Sequence, residues 1–178
     1  MGREIIVQIR DRSRNFKVMD EDYVCGRDDA TSYIAQLVYN MRDDLPDIDE
    51  DSLEGRELSD RYSLIFDISD KEQYRELSNI CNRLKEYSDK DYVEINRVKD
   101  LLEDLRIARR NCSVYEEFAK FSDAMDEAQN WLDNEDYSRA GSLLNMLNDC
   151  RRMIENKDKP KSTLPSNGNY EIVITLSD

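Results

Sequence analysis

Two apolar strand-like segments, Tyr62–Ile68 and Tyr170–Leu176, bracket residues 69–169, whose apolar side chains recur at helical rather than alternating spacing. This constrains the fold more than any other feature. The last strand has no local partner, so the chain must carry it back to a sheet begun near the N-terminus. There Ile5, Val7 and Ile9 alternate with Glu4, Ile6, Gln8 and Arg10, Asp11–Asn15 reads as a hairpin loop, and Phe16–Val18 begins a second short strand. Asp28 or Asp29 is placed to cap a helix, because Ile34, Leu37, Val38 and Met41 fall at i, i+3, i+4 and i+7. Residues 31–38 also read as a strand, but that spacing favours the helix.

The intervening stretch divides into four helical patterns. Ser69 and Glu72 have capping-box spacing ahead of Tyr74, Leu77, Ile80, Leu84 and Tyr87, and Asp91 with Glu94 opens a second stripe through Val98, Leu101, Leu105 and Cys112. Ser113 and Glu116 form another capping box before Phe118, Phe121, Met125 and Leu132, and Asp136 precedes Ala140, Leu143, Leu147 and Ile154. Short connections favour antiparallel neighbours. The expected fold is therefore α+β and mostly helical: residues 1–68 with 170–178 form a small mixed sheet with one helix, residues 69–157 an inserted antiparallel four-helix bundle, and 158–169 a polar linker. The order strand, strand, helix, strand resembles a β-grasp arrangement. Residues 125–140 resemble one helix-turn-helix of the tetratricopeptide type, with Asp136, Tyr137 and Ala140 matching the opening of its second helix and Ala128 suited to close packing.

Composition narrows the chemistry. The 178 residues contain no histidine, which removes Ser-His and Cys-His catalysis and imidazole metal ligation. Five glycines, at positions 2, 26, 55, 141 and 168, build no phosphate cradle. Cys25, Cys81, Cys112 and Cys150 show no CxxC or zinc-type spacing and read as reduced core or surface thiols. Only Cys112, close after Arg109 and Arg110 and just before a helix start, has neighbours that would activate it. No stretch approaches the length of a membrane span or a signal sequence, so the expectation is a soluble, cytoplasmic, non-enzymatic protein without cofactor or metal.

The net charge of −14 is concentrated. Residues 43–60 hold nine acids and one base, residues 113–136 hold eight acids and one base, and the rest of the chain is close to neutral. At about 100° per residue, Glu116, Asp123 and Glu127 fall within about 40° of one another, opposite Phe118, Phe121 and Met125. Their axial spacings of about 10 and 6 Å are comparable to the gaps between phosphates on a nucleic-acid strand. The helix pattern before this one mixes Lys and Arg among its acids, whereas this one has only Lys120. Asp47, Asp49 and Asp51 match the first three ligand positions of an EF-hand loop. Ser52 then stands where the sharp-turn Gly is needed and Leu58 where the bidentate Glu belongs, so specific calcium binding is not expected.

In character, a histidine-free chain with segregated acidic blocks and no catalytic motif resembles the DNA-mimicking inhibitors of phages and mobile elements, anti-CRISPR proteins among them. The residues that carry the resemblance are Asp43, Asp44, Asp47, Asp49, Glu50, Asp51 and Glu54 in the first block, and Glu116, Glu117, Asp123, Asp126 and Glu127 in the second. It implies docking on a basic nucleic-acid-binding surface of an effector such as Cas9, or its RNA-bound complex. Direct nucleic-acid or membrane binding is not expected of so acidic a chain. The alternative is a helical adaptor or chaperone-like module that holds a protein in an apolar groove.

Overall fold

A computed structural model describes residues 3–43 and 62–177. The fold is α+β and 60% helical, with one four-stranded antiparallel sheet. In chain order the elements are β1 (Arg3–Asp11), β2 (Lys17–Gly26), α1 (Asp29–Asp43), β3 (Ser63–Phe66), α2 (Lys71–Arg110), α3 (Tyr115–Glu135), α4 (Arg139–Glu155) and β4 (Tyr170–Ser177). Two compact units divide the chain, residues 1–85 with 139–178, and residues 86–138, so α2 contributes to both.

In the first unit the strands lie in the order β2-β1-β4-β3. Every pairing is antiparallel, which replaces the expected mixed sheet and with it the β-grasp-like pattern. The register explains the core. Val7 lies opposite Ile174 and Ile9 opposite Ile172, while Leu64 and Phe66 meet the same two β4 residues from the other side, so strand alternation sends all of them to one face. Ile9 and Ile172 are fully buried, each contributing about 2 kcal/mol relative to exposure. On this face α4 meets β1, β2 and β4, and α1 meets β3 and β4. Ala140, Leu143, Leu147, Cys150 and Ile154 are the buried stripe of α4. In α1, Asp28 caps the helix by accepting from the Thr31 amide at 2.9 Å, and Ile34 and Val38 are buried.

The segment expected to be a linker is instead folded against the sheet end. Leu164 is buried, Tyr170 Oη donates to the Pro165 carbonyl, and Lys157 Nζ donates to the Gly168 carbonyl at 3.1 Å. A Cβ at Gly168 would lie 2.2 Å from Tyr170 Oη, so this close approach requires glycine. The hairpin loop locks to the same segment. Arg12 N donates to the Asn169 carbonyl at 2.8 Å, and Asp11 Oδ1 accepts from Ser13 N at 3.0 Å and Asn169 N at 3.2 Å.

The inserted helices number three, not four. The expected break near Asp91 does not occur because residues 87–94 contain no Gly or Pro to end the helix. Ser88 is buried, and Asp91 accepts from Ser138 Oγ at 2.7 Å, joining the two ends of the second unit. The caps also shift. Asp70, not Ser69, starts α2 by accepting from the amides of Glu72 and Gln73, and Ser69 instead donates to Asp67. Asp136 closes α3 rather than opening α4. Residues 86–138 form a helical hairpin whose core is Ile95, Val98, Leu102, Ala128 and Leu132, with Met125 and Trp131 packed against it. Ala128, expected to pack in a tetratricopeptide-like pair with α4, is committed to this core, and the boundary between units falls inside the resembling segment.

Asp11 makes one prediction. Burial pushes its pKa up, but hydrogen bonds from Ser13 and Asn169, aided by Arg14, outweigh that and hold it below the ordinary carboxylate value. A carboxylate depressed in the folded state contributes stability at neutral pH that is lost as pH falls through its folded value. Asp11→Ala, which strands the Ser13 and Asn169 amides, is expected to cost about 2 kcal/mol at pH 7. In urea denaturation the gap between wild type and variant should narrow from pH 5 toward pH 2; a gap independent of pH would contradict this assignment.

Candidate functional site

The geometry of α3 follows from its sequence. Ala128 and Leu132 are buried against α2, and about 100° per residue then turns Glu116, Asp123 and Glu127 to the opposite side. All three are exposed, as are Glu117 and Asp126. Asp126 flanks the stripe by about 60–100°, and Glu117 lies about 80–120° away on the other side. There the Glu117 carboxylate is 3.7 Å from Cys112 Sγ.

Glu116, Asp123, Asp126 and Glu127 form no ion pair with any other described residue. The contrast with α2 is direct. There Glu94 pairs with Arg97 at 2.5 Å and Glu103 with Arg106 at 3.4 Å, each three residues apart. Three carboxylates of α3, Glu116, Asp123 and Glu127, thus share one face and find no counter-charge among the described residues, an arrangement of like charges that repel one another.

The first acidic block contributes less. Asp43 is the last residue of α1, and Asp44, Asp47, Asp49, Glu50, Asp51 and Glu54, with the EF-hand-like positions, lie outside the described residues. Among the described residues no three Cys, Asp or Glu side chains are grouped to hold a metal ion, and no helix is long and apolar enough to cross a membrane.

The thiols divide by environment. Burial pushes the Cys81 thiol up, and burial reinforced by Asp20, Asp149 and Asp22 pushes Cys150 up to about 12, so both stay protonated at neutral pH. Cys112 Sγ sits beside the Glu117 carboxylate and the Val114 carbonyl, while the guanidinium of Arg109 lies over the Phe118 ring at 5.5 Å and reaches Ser122 Oγ at 3.4 Å. Of the two arginines ahead of Cys112, Arg109 is thus engaged elsewhere.

Two features escape a reading of the sequence. Asp20, Glu21 and Asp22 form a further acidic group, exposed on β2 at the edge of the sheet. Three consecutive acids interrupt strand alternation, so the strand pattern reads as ending at Val18, whereas an edge strand tolerates them because they face water. The other is an apolar tip on the hairpin, where Val114, Tyr115 and Phe118 are exposed at the start of α3. Its signal in the sequence is Val-Tyr placed between Ser113 and Glu116, where a capping residue belongs. No protein-family model, curated protein or solved structure matches the chain.

Proposed function

We propose that the protein is a non-enzymatic, cytoplasmic inhibitor that occupies a basic nucleic-acid-binding surface of a partner, in the manner of an anti-CRISPR protein acting on a CRISPR effector such as Cas9. The observation that carries this reading is the exposed row Glu116, Asp123 and Glu127, which finds no counter-charge among the described residues. Carboxylates about 6–10 Å apart on a rigid helix offer a cationic channel a pattern of negative charge like that of a nucleic-acid backbone. Inhibition then follows from occupancy: DNA and the protein compete for the same arginines and lysines, and no chemistry is needed.

The test is displacement. Guide-RNA-loaded Cas9 is mixed with labelled target duplex and increasing protein, and retained DNA is measured by mobility shift. The reading predicts that DNA binding is lost as protein is added and recovered as the concentration of labelled duplex is raised. DNA binding unchanged by saturating protein contradicts it.

A second reading, a helical adaptor, is favoured by a cleft of about 380 Å³ in the first unit, lined by Tyr33, Leu37, Leu64, Phe66 and Ile80. Apolar docking there would hold its affinity as salt rises, whereas electrostatic docking would not.

A further inference from the structure

Surfaces that hold single-stranded or unpaired nucleic acid combine a cationic groove with aromatic or apolar platforms on which bases stack. The hairpin of residues 86–138 presents a group suited to the second element. Tyr115 is 83% exposed, the most exposed large apolar side chain among the described residues. Its side chain makes no hydrogen bond or ring contact among them. Beside it Phe118 is steadied by the overlying Arg109 guanidinium. The helix also forgoes stability here: Val114 stands at the N-cap with no side-chain hydrogen bond, while the serine suited to that role is one residue too early. A large ring is thus held in water at the N-terminal end of α3, about 80–120° around the axis from the acidic row, with Glu116 and Glu117 immediately after it.

We infer that Tyr115 is a base-like anchor that enters a base-stacking pocket of the partner's cationic channel, while Glu116, Asp123 and Glu127 lie where phosphates would run. This rests on the function proposed above and adds the kind of pocket the partner must contain. Charge complementarity commits the occupant: a basic protein surface, not a lipid and not a second copy, whose own acidic row would repel this one.

The experiment measures the affinity of guide-RNA-loaded Cas9 for wild type and for Tyr115→Ala, Tyr115→Phe and Tyr115→Leu at two salt concentrations, with folding checked by circular dichroism. Tyr115→Ala is expected to weaken binding about tenfold at both, leaving the salt dependence unchanged. Phe should retain binding, and Leu, apolar but without a π-face, should behave as Ala does. Tyr115→Ala within twofold of wild type, or Leu equal to Phe, overturns the anchor. The parent reading fails separately: wild type that does not bind, or binding indifferent to reversal of Glu116, Asp123 and Glu127, removes it and the anchor with it.

Discussion

The triple variant Glu116→Lys, Asp123→Lys, Glu127→Lys is expected to bind its basic partner about a hundredfold more weakly than wild type at moderate salt, while remaining folded. An exposed charge pair is worth about 0.2–1 kcal/mol, and reversal replaces that attraction with a repulsion of similar size. Three positions together therefore cost about 3 kcal/mol, or about a hundredfold in affinity. The neutral set Glu116→Gln, Asp123→Asn, Glu127→Gln removes attraction without adding repulsion and should lose about tenfold. Stability responds much less, because these side chains are exposed and pair with no other described residue. New like-charge neighbours at i,i+4 and the loss of an acid from the first turn cost about 1 kcal/mol in total. Binding is read by titration against guide-RNA-loaded Cas9 and stability by thermal melting. Equal losses in both variants would show that the acids act by shape or hydrogen bonding and not by charge.

The second large effect concerns the scaffold of that row. Leu132→Ala removes one of the larger side chains in the core formed with Ile95, Val98, Leu102 and Ala128. Such a truncation costs about 2–5 kcal/mol, and a core this small supplies about 3–5 kcal/mol in total. The expected result is selective unfolding: amide exchange protection is lost across residues 86–138, helical circular dichroism drops, and β1 and β4 keep their protection. Binding disappears with the hairpin, because the acids are no longer held on one face. A single cooperative shift of the whole chain would show instead that the two units unfold together.

How much of this was legible beforehand depends on the element. The alternation of Ile5, Val7 and Ile9 and the apolar run Tyr170–Leu176 specify their strands, because each has a face with no polar option. The stripe of α4 was equally plain, since Leu143, Leu147, Cys150 and Ile154 all reach the core. Helix ends were less legible. Asp91 and Asp136 have capping chemistry, yet Asp91 is used in the middle of a helix as an acceptor for Ser138, and Asp136 terminates α3. Spacing alone does not separate a cap from a tertiary hydrogen-bond partner. The polar, Pro- and Gly-containing stretch before β4 read as a linker because its buried residues, Leu164 and Gly168, are too few for a periodic signal. For the site, helical angle was sufficient to align Glu116, Asp123 and Glu127. The absence of ion pairs to these acids among the described residues and the exposure of Tyr115 needed the tertiary structure, because both depend on where the other helix lies.

Whether the acidic row on α3, without counter-charge among the described residues, meets a cationic surface as proposed is tested most directly by a salt titration. The affinity of wild type for guide-RNA-loaded Cas9 is measured from about 50 to 300 mM salt and plotted as log Kd against log salt. Screening shortens the reach of exposed charges over this range, so affinity should fall about tenfold or more, and the triple lysine variant should show a flatter line. A wild-type line that is level, or one whose slope the variant leaves unchanged, would contradict the claim.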